Sequence, residues 1–121
     1  MNVIVAVFIG GGLGSITRFS LSKFITSNFQ HINPVATLTS NVISTIILGL
    51  LLFIGSEKMA MPTTLKAMLI VGFCGGFSTF STFSYETFEL LKSGNYTFAI
   101  LNLLISIFLA LAVLFILARS L

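Results

Sequence analysis

The stretch GFCGGFSTFSTFSYE, residues 72–86, decides the architecture of this chain. It reads as one apolar helix with a break in its middle. Its glycines are poor helix residues, because glycine loses the most backbone freedom on ordering. Hydroxyl and phenylalanine side chains then alternate through residues 78–84. Neither a soluble core nor a lipid-facing helix needs so many hydroxyls, whereas a membrane site that handles a polar solute does.

The composition is that of an integral membrane protein. Of the 121 residues 56% are hydrophobic and 7% are charged, whereas soluble domains carry about 25% charged residues. Four apolar segments have the length of about 20 residues that crosses a bilayer. The sequence therefore predicts a single all-α transmembrane domain over residues 1–121, with spans at 3–24, 34–54, 65–91 (broken at 75–78) and 96–118.

Polar or small residues of the second and fourth spans fall on stripes, which in the fourth span consist of Asn102, Ser106 and Ala110. In the second span they recur at spacings of three and four, at Thr37, Asn41, Ser44 and Thr45. An amide such as that of Asn41 is costly inside an apolar span. It either forms an interhelical hydrogen bond or offers its N–H to a permeating anion, and the spacing favours neither.

The basic residues divide evenly between the two ends of the predicted bundle. Four spans place both termini on one side, and the six Lys and Arg residues then split three against three: Lys58, Lys66 and Arg119 against Arg18, Lys23 and Lys92. Orientation normally follows an excess of these residues on the cytoplasmic side. The equal count predicts insertion in both orientations and an antiparallel dimer; a fixed orientation set by weaker cues is the alternative.

A break in a membrane helix exposes backbone groups of two kinds. Carbonyl oxygens at the end of the first half suit a hard cation such as Na⁺, and N–H groups at the start of the second half favour an anion. Phe80 and Phe83 are three residues apart, and the positive edges of their rings can face a small anion; helix packing is the alternative. Arg18 is either an interfacial arginine that snorkels to headgroups or a charge near a pore mouth.

Three motifs make the chain similar to a known family along its whole length. GGLGSITRF at 11–19, TLTSN at 37–41 and GFCGGFSTFSTFSYE at 72–86 resemble the Fluc family of microbial fluoride channels, also called CrcB. The resemblance implies an antiparallel, dual-topology homodimer with two fluoride pores and a central structural Na⁺ at the dimer interface. It also implies a location in the inner (plasma) membrane, among lipids.

The resemblance assigns roles to residues of this sequence. The fluoride pore would be lined by the asparagine, the two phenylalanines and a hydroxyl track that leads to a carboxylate: Asn41, Phe80, Phe83, Ser81, Thr82, Ser84, Ser106 and Glu86. Arg18 would lie at the vestibule. The backbone carbonyls of Gly75 and Ser78 would bind Na⁺. Ser78 stands where threonine is usual, and Ala36 and Ser44 replace small glycines.

The predicted function is passive, fluoride-selective export that lowers fluoride toxicity. Two alternatives belong to other classes. A small dual-topology drug/proton exchanger needs an acidic residue in its first span, and residues 3–24 contain none. A structural subunit of a larger membrane complex would not need the hydroxyl track. We expect no enzymatic activity and no nucleic-acid binding, because the spans contain no Ser/His/Asp or Cys/His set and the net charge is only +3.

Overall fold

The computed structural model of the chain describes residues 1–26, 33–55 and 60–121, which are almost entirely helical. Helix α1 is Val3–Ile25, and α2 is Pro34–Leu50 with a π-helical continuation over Leu51–Gly55. Helix α3 starts with Thr63–Lys66, continues π-helically over Ala67–Cys74 and ends with Gly75–Phe77. Helix α4 is Phe80–Lys92, and α5 is Tyr96–Ser120. Lys58, which entered the charge count, lies outside the described residues.

The starts of α1 and α2 coincide with asparagines whose side chains satisfy free N–H groups. The Asn2 side chain accepts a hydrogen bond from the N–H of Ile4 at the start of α1. Asn33 does the same for α2, where Pro34 occupies the first turn. Proline suits that position because the first N–H groups of a helix have no intrahelical partner.

Four helical segments of the described chain are long and apolar enough to cross a membrane: Val3–Ile25, Pro34–Gly55, Thr63–Lys92 and Tyr96–Ser120. The third comprises α3 and α4. Helix α1 packs mainly on α3, whereas α2 packs mainly on α5. In the most apolar 18-residue window of α5 no residue is buried. One side of α5 is therefore left for lipid or for another chain.

Glycines bring the backbones of α1 and α3 into direct contact. A Cβ atom on Gly14 would meet the carbonyl oxygen of Phe73, and one on Gly76 would meet the carbonyl oxygen of Gly11. Small residues at such crossings let two membrane helices approach closely. These glycines thus fix the distance between α1 and α3.

The interruption of the third span overlaps the predicted residues 75–78 only at Ser78 and extends one residue beyond them. Gly75–Phe77 remain helical, and the extended residues are Ser78 (φ −85°, ψ 159°) and Thr79 (φ −151°, ψ 120°). Gly76 serves the contact with α1 instead of unwinding the helix. The hydroxyl of Thr79 accepts a hydrogen bond from the N–H of Thr82 and so begins α4.

Candidate functional site

Asn41 of α2 forms two hydrogen bonds with the backbone of Thr79 at the interruption. Its Oδ1 accepts from the Thr79 N–H at 2.8 Å, and its Nδ2 donates to the Thr79 carbonyl at 3.2 Å. The sequence left open whether Asn41 forms an interhelical hydrogen bond, and the structure shows that it does. An amide has two N–H donors, and this arrangement occupies one of them. The other can serve a ligand.

Carbonyl groups at the interruption lose their usual helical donors, and those of Gly75 and Ser78 are among them. In an α-helix the N–H of residue i donates to the carbonyl of residue i−4. Here the Thr79 N–H donates to Asn41 instead of Gly75. The Thr82 N–H donates to the Thr79 hydroxyl at 3.1 Å instead of the Ser78 carbonyl. The oxygens of Gly75 and Ser78 are thereby released from the regular helical pattern.

A groove of about 400 Å³ lies on one side of the interruption and collects side chains from three spans. Its polar lining comes from Asn41, Thr45, Ser78, Thr79 and Ser106, and its apolar lining from Phe80, Phe83, Ile107, Ala110 and Leu111. The Ser106 hydroxyl is buried and has no hydrogen-bond partner in the described part of the chain. The groove therefore offers an apolar surface with a few polar groups at the start of α4.

Phe80 and Phe83 form one wall of this groove but differ in exposure. Their ring centroids are 6.0 Å apart at an interplanar angle of 46°. Phe83 is 8% exposed, whereas Phe80 is 78% exposed. The single chain thus holds Phe83 in place and leaves Phe80 open on one side.

The proposed hydroxyl track separates into two faces of α4. Thr82 is half-buried and Glu86 is 3% exposed, with the Thr37 hydroxyl beside its carboxyl group. Ser81 and Ser84 lie on the exposed face. None of these four α4 residues lines the groove in the single chain.

Arg18 of α1 reaches the end of α3. Its Nε forms a long hydrogen bond, 3.4 Å, with the carbonyl oxygen of Gly76. A cationic group next to the C-terminal carbonyls of a helix interacts favourably with the helix dipole. The structure therefore places Arg18 beside the interruption.

A second, smaller cavity of about 170 Å³ adjoins the interruption. It is lined by Ser44, Thr45, Leu48, Ile70, Cys74, Gly75 and Ser78. Thr45 and Ser78 line both this cavity and the groove. Gly75 is exposed, and a Cβ atom there would meet no atom within 4 Å. The released carbonyls and open space fit a hard cation, for which oxygen ligands are preferred.

Thr45 and Thr79 were not among the candidate site residues in the sequence analysis. Thr79 carries a recognisable signal, because a hydroxyl residue directly before an apolar helix is a preferred N-cap. Thr45 lies one turn after Asn41 and bonds to its carbonyl at 2.7 Å. The i, i+4 spacing from Asn41 placed it on the same face of α2.

A family model described as CrcB-like protein, Camphor Resistance (CrcB), matches residues 5–118 of the chain. Among similar proteins, the Fluoride-specific ion channel FluC of Magnetococcus marinus is 38% identical over 103 residues, which cover 85% of this chain and 84% of the relative. The FluC of Citrifermentans bemidjiense is 39% identical over 107 residues, 88% and 86% of the two chains. The FluC of Gloeothece citriformis is 38% identical over 115 residues, 95% and 93% of the two chains. The similarity thus runs through all four spans.

Proposed function

Since this multi-pass membrane chain belongs to the CrcB family, we propose that it is a fluoride-selective channel that exports F⁻ passively and lowers fluoride toxicity. Its relatives carry the name fluoride-specific ion channel, a class of protein without enzymatic activity. They come from bacteria, which supports a location in a bacterial inner (plasma) membrane.

The groove at the interruption is the observation that carries this proposal. Fluoride sheds its hydration shell only where the protein offers replacement interactions. The second N–H of Asn41 and the buried hydroxyl of Ser106 are suitable donors. The ring edges of Phe80 and Phe83 carry partial positive charge, and the first N–H groups of α4 have no intrahelical acceptors. None of these groups carries a fixed positive charge, yet each of them interacts favourably with an anion.

A second copy of the chain completes the pathway in this proposal. The exposure of Ser81 and Ser84 supports pairing, because polar groups along a pore must be shielded from lipid. The even split of the basic residues supports an antiparallel arrangement. Such a homodimer contains two equivalent pores. Ser81 and Ser84, exposed in the single chain, then meet the partner and extend the hydroxyl track towards Glu86.

A structural Na⁺ at the dimer interface is the second part of the proposal. The carbonyl oxygens of Gly75 and Ser78 from each chain are its ligands, which agrees with the loss of their helical donors. When bound, the cation supplies a positive field that favours an anion in the neighbouring groove. Ser78 lines both the small cavity and the groove, so it fixes the distance between the cation site and the anion path.

Efflux from liposomes tests the proposal directly. Purified protein is reconstituted into vesicles loaded with fluoride, and release is followed with a fluoride electrode after an ionophore removes the membrane potential. We expect rapid fluoride release and no release of chloride from matched vesicles. Proton-coupled release of a lipophilic cation would identify an exchanger, and no transport of any of these ions would point to a structural subunit.

A further inference from the structure

The Cys74 carbonyl, four residues before the interruption, accepts three hydrogen bonds. The N–H of Ser78 donates to it at 3.0 Å, as in a regular helix. The Ser78 hydroxyl also donates to it at 3.0 Å. The third donor is the hydroxyl of Ser44 on α2, at 2.9 Å. The last carbonyls of a helix have no intrahelical donors, and here side chains concentrate on one carbonyl that already has its own.

Ser44 and Asn41 attach α2 to opposite sides of the interruption. They are three residues apart and share a helix face. Asn41 holds Thr79, just before α4, whereas Ser44 holds the carbonyl of Cys74 in the last turns of α3. Gly75 and Ser78 lie between these two attachment points. The direction of their carbonyl groups therefore depends on both.

The Ser44 hydroxyl also lines the small cavity next to Gly75. A hydroxyl group has one hydrogen, and its oxygen keeps acceptor capacity after that hydrogen is donated. Ser44 and Ser78 both donate to Cys74. In this arrangement both can only accept hydrogen bonds or bind a cation in the cavity, so they offer nothing to an anion.

We propose that Ser44 is a positioning residue for the Na⁺ site: its hydrogen bond to the Cys74 carbonyl orients the carbonyl ligands of Gly75 and Ser78. This inference rests on the Na⁺ site of the proposed function and deepens it. It assigns to Ser44 an effect on cation affinity that packing alone would not produce.

Na⁺-dependent thermal unfolding tests this role without a transport measurement. Ligand that binds only the folded state raises the unfolding temperature as its concentration exceeds the dissociation constant. The detergent-solubilised protein is titrated with NaCl at constant ionic strength, with a large organic cation as the replacement. The stabilisation rises logarithmically with the Na⁺ concentration, and a fit of this rise gives the half-saturating concentration, which is the dissociation constant. For Ser44→Ala we expect this value to rise about fivefold, the effect of one hydrogen bond. Ser44→Cys, whose thiol is a weak donor, should show a smaller rise and covers the case in which the alanine variant does not fold.

Ser40→Ala is the matched control. Ser40 lies one turn before Ser44 on α2, and the two side chains are 1% and 3% exposed. The Ser40 hydroxyl has no hydrogen-bond partner in the described part of the chain. Ser40→Ala therefore removes a hydroxyl that is buried as deeply as that of Ser44 but breaks no hydrogen bond to α3. The half-saturating Na⁺ concentration should therefore equal that of the wild type.

Two results would overturn the inference. A lower unfolding temperature in Ser44→Ala at every Na⁺ concentration, with an unchanged half-saturation point, would show a purely structural role. If the unfolding temperature of the wild type did not respond to Na⁺, the protein would have no Na⁺ site for Ser44 to position. Fluoride efflux from the same wild-type preparation tests the channel function separately. Failure of the channel and failure of the Ser44 role are thus distinguishable.

Discussion

Asn41 contributes to two tasks at once. Its amide accepts from one backbone group of Thr79 and donates to the other, so it stabilises a residue that no helix supports. It also lines the groove beside Phe80 and Phe83. A side chain that both fixes the backbone and faces the proposed anion path is hard to replace, because each task needs a donor in a different direction.

Asn41→Asp should abolish fluoride flux. Aspartate keeps the acceptor for the Thr79 N–H but loses the donor to the Thr79 carbonyl. It also introduces a negative charge next to the permeating fluoride. Two like charges about 4 Å apart at an effective dielectric constant of about 20 repel by about 4 kcal/mol, which corresponds to roughly a thousandfold loss of rate. Fluoride efflux from liposomes measures the effect, with the unfolding temperature as a check on folding. Wild-type flux in this variant would rule out the pore assignment of Asn41.

Phe80→Ile and Phe83→Ile should each reduce fluoride flux about two- to tenfold. Isoleucine retains apolar bulk but has no ring edge, and specific aromatic interactions are worth about 0.5–1.5 kcal/mol. Phe83→Ile should also lower the unfolding temperature, because Phe83 is buried and Phe80 is exposed.

The matched control for the ring effect is Phe73→Ile. Phe73 forms an edge-to-face pair with Phe77, with centroids 5.7 Å apart, and does not line the groove. Its replacement removes a ring from an equivalent pair on α3. If Phe73→Ile reduced fluoride flux as much as Phe80→Ile, ring edges in the groove would not be the cause.

At the scale of whole elements, the α1–α3 crossing supports the interruption. Gly14→Ala should lower the free energy of unfolding by about 1–3 kcal/mol, the usual cost of overpacking, because the new methyl group would lie 2.9 Å from the Phe77 nitrogen. Thermal unfolding in detergent measures the loss. Gly12→Ala is the control, since a Cβ atom there meets nothing within 4 Å; equal destabilisation by both changes would contradict the close-crossing explanation.

The spans could be predicted because their apolar length leaves few alternatives in a bilayer. Their polar residues were also visible, since an amide such as Asn41 stands out in an apolar helix. The position of the interruption was less predictable. Low helix propensity pointed to Gly75 and Gly76, yet Gly76 serves a contact with α1 that is distant in sequence. Propensity is a local quantity, and tertiary contacts override it.

The partners of the polar residues could not be predicted for the same reason. Nothing local to Asn41 indicates that it bonds to Thr79, 38 residues away, or that Ser44 bonds to the Cys74 carbonyl, 30 residues away. The division of the hydroxyl track was likewise not visible. Ser81 and Ser84 are exposed while Glu86 is buried, because α4 presents different faces to the bundle and to its exterior.

At the scale of the whole molecule, the proposed antiparallel homodimer requires that the chain inserts into the membrane in both orientations. A reporter fused to the C-terminus should appear on both sides of the membrane, because the basic residues divide three against three. Accessibility of the reporter in intact cells and in inverted vesicles measures the two populations. A single orientation in the wild type would exclude the dual-topology proposal.

Asn95→Lys tests the cause of this balance. Asn95 is an exposed residue between α4 and α5, and a lysine there adds one charge to the side of Lys92. The reporter should shift towards the orientation that places this side in the cytoplasm. Asn95→Gln, a change without charge, should leave the two populations equal.

The hydrogen bonds of Asn41 to Thr79 also bear on biosynthesis. Unsatisfied backbone groups cost several kcal/mol in hydrocarbon, and this chain supplies partners for both backbone groups of Thr79 from its own second span. A newly made chain can therefore leave the insertion machinery with its interrupted helix already shaped. Formation of the proposed homodimer would then be a later encounter of folded chains in the plane of the membrane, and the paired fraction would depend on the amount of protein produced.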